Sequence, residues 1–415
     1  MDTEPNSKQI KDYSLLNPET SSDPYEFFSR LHTEQPVYQM PETGAFVVTK
    51  YNDLRTVLKD TETFSNDLVI SSMLSGANPL QDILKESGWE HVQTLQRTDP
   101  PVHGRYRKLL DRVFTIKRVR EMMPYIQEVT DELIDQWIDQ GECEFNNDFA
   151  MPMPGIIIAE QLGLGRDEVK RFKRWADAML GGSTRTEEQV VENANIELEA
   201  QHYLAEVFEQ RKKSPQDDIM SGLVHAHGDD EEPLTMHELQ NLMHQLITGG
   251  FETTQSALNH GMWTLVRKPE LVAQLRGNAA LMKTFVDEVL RWESPVQFLA
   301  RQTTCDTELG GTTIPKGSMV MVGYGAANRD PEKFECPHQF DLDRKNAGSH
   351  LAFGSGAHFC VGAILARQEM TTAFTQLIER LDNIRLKHPL PEPVHNFSMF
   401  FIPMAELPIK FDKRR

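Results

Sequence analysis

Apolar positions along this chain recur mostly at three- and four-residue steps, the period of one helix face, and alternate with polar ones only in short stretches. Windows of helical period predict helices over 24–34, 51–59, 103–112, 118–140, 167–180, 187–213, 235–267, 270–277, 281–292 and 361–380. Alternation bounded by glycine and proline turns predicts strands at 36–40 paired with 45–49, at 308–314 paired with 318–322, and near the C-terminus. The expected fold class is mainly α with small β-sheets. No repeat, low-complexity tract or linker divides the sequence, so its 415 residues read as one domain, with 1–20 as an extended or flexible segment. The stretch from Ser65 to Thr98 is mixed in character and reads as a long loop, a kind of connection that is often functional.

The strongest element is the predicted helix over 235–267. Thr235 and Glu238 form a capping box at its start, and Lys268 and Pro269 mark its end. At about 1.5 Å per residue it spans roughly 48 Å, enough to cross a domain as its central helix. In its middle stands GGFETT, Gly249 to Thr254. Two glycines there cost on the order of 1 kcal/mol each relative to alanine, so something must offset them. One reading is close helix packing, with Glu252 solvated and Thr253 bonded back to the preceding turn.

A second constellation is FGSGAHFCVG, Phe353 to Gly362. It sets one cysteine, Cys360, in a glycine-spaced loop at the start of the helix predicted over 361–380. The helix dipole and unpaired backbone N–H groups there favour a thiolate. Gly354, Gly356 and Gly362 remove bulk where a flat ligand must come close. A single thiolate suits haem iron better than zinc. The bland reading is a buried, inert cysteine. Upstream, Glu288 and Arg291 in EVLRWESPV lie three residues apart and share a helix face, the spacing of an ordinary surface ion pair.

Charge and composition narrow the function classes. A formal net charge of −19 speaks against nucleic acid as the main partner and for solubility. The first twenty residues hold no apolar run, so neither signal peptide nor membrane anchor is expected. Cysteines at 143, 305, 336 and 360 show no paired spacing, which fits a reducing cytoplasm. Two tempting metal patterns fail. HELQNLMH, His237 to His244, has Asn241 where a zinc-protease helix needs its second histidine, and HAHGDDEE, His225 to Glu232, reads as a solvated acidic loop. The segment Arg105 to Arg120 is the charge anomaly, with seven Lys or Arg against one Asp.

Taken together, DPPVH, GGFETT, EVLR, ANRDP and the cysteine loop, in that order, resemble the cytochrome P450 family over essentially the whole chain. The resemblance implies a single triangular domain with haem b (iron protoporphyrin IX) between the central helix and the cysteine helix. It implies Cys360 as the axial ligand, in a loop with Phe353, Gly354, His358 and Gly362, and an oxygen-binding kink at Gly249 and Gly250. Glu252 and Thr253 match the family's acid and alcohol, which deliver the two protons that oxygen activation consumes. His103, Arg107, Arg301 and His358 are implied as partners of the haem propionates. Glu288 and Arg291 match the structural E-x-x-R motif. This chain departs from the family at Gln339, where an arginine usually closes that network; His338 or Arg344 are the candidates to replace it. Pocket positions map to the 65–98 loop, Gln245, Thr248, Val296, Gln297, Phe298, Leu299, Phe400 and Phe401.

The activity implied is insertion of one oxygen atom from O2 into a lipophilic small molecule. The two electrons would come from an iron–sulfur ferredoxin and its NAD(P)H-dependent reductase, because the haem domain fills the 415 residues and leaves no room for a redox module. No nucleic acid or membrane partner is expected, and the protein is read as a monomer. A peroxide-driven oxygenase, a haem-based gas sensor and a non-redox haem-thiolate isomerase or dehydratase are the alternatives. The first and third make no use of the acid and alcohol, and the sensor normally carries an output domain.

Overall fold

The computed structural model describes residues 9–67, 79–180, 186–225, 232–389, 394–395, 398 and 400–414. Its helices of eight or more residues are α1 (Tyr25–Glu34), α2 (Tyr51–Lys59), α3 (Pro79–Ser87), α4 (Val102–Val113), α5 (Ile116–Asp135) and α6 (Pro152–Gln161). They continue with α7 (Val169–Leu180), α8 (Glu187–Lys213), α9 (Met236–Arg267), α10 (Glu270–Gly277), α11 (Leu281–Trp292) and α12 (Ala363–Arg380). The strands are β1 (Val37–Gln39), β2 (Phe46–Val48), β3 (Phe64–Ser65), β4 (Glu142–Glu144), β5 (Phe298–Thr303) and β6 (Thr307–Leu309). After them come β7 (Thr312–Ile314), β8 (Met319–Gly323), β9 (Leu381–Leu386), β10 (Val394–His395), β11 (Met404–Glu406) and β12 (Pro408–Lys413). The fold is mainly helical with small sheets, as the periodicity predicts. Contacts gather the chain into two units, one of residues 1–69, 284–359 and 393–405, the other of 70–283, 360–392 and 406–415.

The first unit is built on a five-stranded sheet in the order β1-β2-β8-β5-β3. Its core holds Phe27, Phe28 and Leu31 of α1 together with Val47, Phe298 and Met321 of the sheet. One expected pairing is wrong. The 308–314 segment does not pair with 318–322 but folds on itself, Thr307 opposite Ile314 and Leu309 opposite Thr312. Its turn is Gly310-Gly311, both at positive φ, which favours a tight hairpin over a long strand. The neighbouring β8 lies parallel to β2 and antiparallel to β5. Residues 10–20 are also more ordered than expected, with a turn at Ile10–Asp12, a short helix at Pro18–Ser22, and Tyr13 and Leu15 buried.

The second unit is organised on α9. Twenty of its 32 residues are buried, on every side of the helix, which is the mark of an interior element. Its capping box forms as read: Glu238 N donates to Thr235 Oγ1 at 3.3 Å, and Thr235 N donates to Glu238 Oε2 at 2.8 Å. Around it pack Phe172 and Trp175 of α7, Leu204 and Phe208 of α8, and Ile158 of α6. Helix α6 escapes periodic analysis because PMPGIIIAE is apolar on all faces. Part of the 65–98 loop is likewise helical, as α3, while 68–78 lies outside the described residues. Among the described residues no helix is long and apolar enough to cross a membrane.

Glu369 on α12 is 3% exposed, and burial pushes its carboxyl up to about 8 from the ordinary 4.5. The folded protein therefore holds this proton where the unfolded chain has lost it. Stability should fall as pH rises from about 4.5 to about 8, by roughly 1.4 kcal/mol per unit from this group alone. Glu369→Gln should flatten that slope and melt higher than the wild type at pH 8. Parallel pH profiles of thermal melting in the two proteins would disprove the assignment.

Candidate active site

The cysteine loop is shaped by its glycines. Gly354 and Gly356 have φ of +72° and +74°, and a Cβ on Gly356 would stand 2.5 Å from the carbonyl oxygen of Leu58 at the end of α2. Any other residue at 356 would lift the loop off that helix. A single 3-10 turn, Gly356–His358, follows, and Gly362 then opens α12. His358 lies in the turn, and the Phe353 ring sits 5.6 Å from the His350 ring and 6.5 Å from the Phe359 ring. The result leaves three side chains open at the start of the helix: Cys360, with Phe359 at 41% and Ile364 at 43% exposure.

Although Cys360 is open to the adjacent space, protein surrounds it at longer range, and this desolvation raises its thiol above the ordinary value. Backbone N–H groups of Gly362 and Ala363 and the charges of Arg107 and Arg367 act in the opposite direction. The expected thiolate-favouring groups are thus present, yet burial outweighs them in the bare polypeptide. A cation at the sulfur is what would tip the balance to the anion.

Midway along the otherwise buried α9, one face opens. His244, Thr248, Gly250, Glu252 and Thr253 are half-buried and Gly249 is exposed. A Cβ on Gly249 would meet nothing within 4 Å, so this glycine borders open space and does not serve close helix packing. Thr248 Oγ1 donates to the His244 carbonyl and Thr253 Oγ1 to the Gly249 carbonyl, each at 2.8 Å. Burial, reinforced by Asp177 and opposed by Lys173, raises the Glu252 carboxyl above the usual range. The back-bonded threonine of the bland reading is present, but Glu252 is not a freely solvated acid. An open thiol with charge-stabilising donors, and a glycine on α9 that leaves space uncovered, fit a flat thiolate-ligated cofactor.

Glu288 and Arg291 depart furthest from the bland expectation, being fully buried, with no exposed side-chain surface on either. Arg291 Nε and Nη2 grip Glu288 Oε1 and Oε2 at 2.6 and 3.0 Å. Arg291 also donates to the carbonyls of Asn328 (3.0 Å), Pro337 (2.8 Å) and Gln339 (3.1 Å). Arg344 completes the network, its Nε 3.0 Å from Glu288 Oε1. Gln339 contributes its carbonyl, which Arg344 also reaches at 3.0 Å, while His338 turns instead to Ser29. Of the two candidates to replace the missing arginine, Arg344 holds the place.

The remaining expected site residues divide. His103 is buried at the start of α4, and Arg107 on the same helix pairs with Asp111 at 2.9 Å. Arg301 is 5% exposed and stands beside the Tyr324 hydroxyl. Gln245 is buried, its amide donating to Thr94 Oγ1 at 2.9 Å and accepting from Gln96 N at 3.2 Å, so it ties down the loop before α4. Phe298 packs its ring on Phe28 in the sheet core, 5.7 Å between centroids, and faces no open space. Leu299, Val296, Phe400 and Phe401 are half-buried, with Val296 bridged to Phe401.

Residues 185–411 match the family Cytochrome P450. Over 99% of this chain and 96% of the relative, the sequence is 33% identical to the cytochrome P450 monooxygenase PikC of Streptomyces venezuelae. It is 32% identical to 6-deoxyerythronolide B hydroxylase of Saccharopolyspora erythraea, over 94% of this chain and 96% of that one. The structure of cytochrome P450 CYP109Q5 from Chondromyces apiculatus superposes with a TM-score of 0.87 at 32% identity, covering 98% of this chain and 100% of that one. With the family matched over more than half the chain and these relatives aligned over nearly their whole length, the chain belongs to the cytochrome P450 family of haem-thiolate monooxygenases.

Proposed function

We propose that this enzyme inserts one oxygen atom from O2 into a lipophilic small molecule, drawing two electrons from an external ferredoxin and its NAD(P)H-dependent reductase. The observation that carries the reading is the open face of α9, where an acid of raised pKa stands beside an alcohol in an otherwise buried helix. Haem, held by Cys360 with His103, Arg107, Arg301 and His358 as candidates toward its propionates, would supply the one-electron and oxygen chemistry. Thr253 Oγ1 donates its hydrogen bond to the Gly249 carbonyl, which leaves the hydroxyl's lone pairs to accept one from a group entering the open face. Glu252, holding its proton more firmly than an exposed glutamate, is suited to pass it inward and recover it from water. The half-buried apolar side chains Val296, Leu299, Phe400 and Phe401 favour a lipophilic substrate. One of the relatives is named a hydroxylase of 6-deoxyerythronolide B, which is in keeping with a small-molecule substrate.

Thr253→Ala tests the relay. Substrate affinity and reduction should persist, while product formed per NAD(P)H falls by about tenfold or more and peroxide accumulates. Unchanged coupling would remove Thr253 from the proton path. Full turnover on peroxide alone, without dependence on ferredoxin, would favour the peroxide-driven alternative.

Electron delivery draws on the basic segment 105–120. Arg105 and Arg118 are engaged by Glu238 and Asp217, Arg107 by Asp111 and the exposed Lys117 by Glu121, which leaves Lys108, Arg112 and Arg120 exposed near exposed Ile116. An acidic ferredoxin would be steered to such a patch despite the net charge of −19. Reduction rates should fall steeply with ionic strength and fall again in Arg112→Glu, with substrate binding untouched. Salt-independent reduction in the wild type would refute the docking.

A further inference from the structure

Three side chains far apart in sequence meet in the second unit, away from the cysteine loop. His91 lies on the segment between α3 and α4, Glu197 on α8 and His244 on α9. The Nε2 of His91 stands 2.5 Å from Glu197 Oε1. The rings of His91 and His244 are 5.0 Å apart between centroids, inclined at 65°. One ligand atom from each residue falls within 4.8 Å of the other two. Glu197 is 2% exposed, while both histidines are half-buried.

The surroundings hold this arrangement in place. Gln201, one turn past Glu197, accepts from Trp89 N and donates to the Trp89 carbonyl, each at 2.9 Å. His91 N donates to Gln81 Oε1 of α3 at 3.3 Å. Gln245, next to His244, fastens Thr94 and Gln96. The segment carrying His91 is therefore pinned on both sides of it, to α8 and to α9, before any ligand arrives. Such support is what keeps a small set of donors at a usable spacing.

We propose that His91, Glu197 and His244 bind a divalent transition metal of the zinc class, which clamps the 89–97 segment onto α8 and α9. Two imidazoles and one carboxylate are a donor set for borderline ions such as zinc, and not for magnesium or calcium, which take all-oxygen shells. Ligands bound at about 2.0–2.2 Å around a tetrahedral ion stand roughly 3.3–3.6 Å from one another. The widest of the present separations must close by about 1 Å and the 2.5 Å contact of His91 with Glu197 must open by a similar amount, changes that side-chain rotation of His244 and His91 supplies. A fourth position is left for water. Arg97 opposes the ion, since its charge acts on both Glu197 and His244. The affinity should therefore be weaker than that of a purely structural zinc site. Without a metal, Arg97 and His91 would serve simply as the polar partners of a buried glutamate.

The proposal does not depend on the oxygenation reading, and its test does not measure turnover. Untagged, haem-loaded protein, freed of adventitious metal by a chelator, is titrated with Zn²⁺ against a chromophoric competitor and with Co²⁺ by visible absorption. One equivalent of each should bind, with Co²⁺ bands typical of low coordination number. Zn²⁺ should slow amide exchange across residues 89–97. Glu197→Gln and His244→Ala should each weaken binding by about 100-fold, since each removes one of three protein ligands. The reduced, CO-bound spectrum should stay as in the wild type, which certifies the fold of each variant. His91→Ala, placed outside any helix, must show the same loss and stands in for a helix variant that does not fold. Absence of stoichiometric binding in the wild type overturns the site, as does stoichiometric binding that survives these substitutions.

Discussion

Cys360→Ala should abolish NAD(P)H-driven product formation and remove the red-shifted absorption of the reduced, CO-bound protein that marks thiolate-ligated haem. The wild type should show that band. The argument rests on the local build of the loop: two left-handed glycines and a 3-10 turn bring Cys360 to the start of α12, where Gly362 and Ala363 N–H groups and two arginine charges face its sulfur. No other cysteine has this setting. Cys143 is buried, with its thiol raised beyond the reach of neutral pH by desolvation, and Cys305 and Cys336 lie exposed elsewhere. Cys360→His should retain some haem but shift the CO band to the imidazole-type position, because the ligand atom changes and the loop does not. A red-shifted CO band that survives in Cys360→Ala would transfer the ligand to another residue and sink the assignment.

Arg291→Ala should be the most damaging change outside the site. It removes the bidentate partner of the buried Glu288 and leaves Arg344 alone beside that carboxylate, and breaking a buried pair by removing one partner costs about 3–5 kcal/mol. It also strips donors from the carbonyls of Asn328, Pro337 and Gln339. Set against a typical total of about 5–15 kcal/mol, the variant should lose most of its soluble, haem-loaded yield. Arg344→Ala should cost less, since Arg291 still holds both oxygens of Glu288. Gln339→Ala should be nearly silent, because the network uses only its main-chain carbonyl. The measurement is thermal melting together with haem content. A melting point for Arg291→Ala within about 2 °C of the wild type would show that the pair does not organise this region.

These contrasts also mark how far the sequence could be read. The long helices with caps were legible almost to the residue, α8 over 187–213 and α9 behind Thr235, because capping and amphipathic period are local properties written within a few turns. Helix α6 and strand β5 were not. One is apolar on every face and the other mixes FLARQT without a clean period, so neither carries a local signal that tells helix, strand and loop apart. The pairing of 308–314 failed for a related reason: strand partners are chosen by non-local contacts, and Gly310-Gly311 diverted that segment into its own hairpin.

The sequence by itself determined the family, because Cys360, Glu252 and Thr253 sit in short runs that resemble its motifs, and the comparisons show the haem-thiolate class. Tertiary structure alone decided which charges are buried and with whom. Glu288 and Arg291 look like a surface pair at their spacing, and only the arrival of residues 328–344 around them removes water and lets Arg344 take the place left by Gln339. Likewise the sequence around His244 carries no helical metal motif, because Asn241 stands where its second histidine is required. The actual neighbours of His244, His91 and Glu197, come from other segments, 106 residues separating one from the other. Helix and turn signals act over a few residues, where the backbone fixes the distances; buried ion pairs and ligand clusters depend on which distant surfaces meet, and that is set only when the core closes.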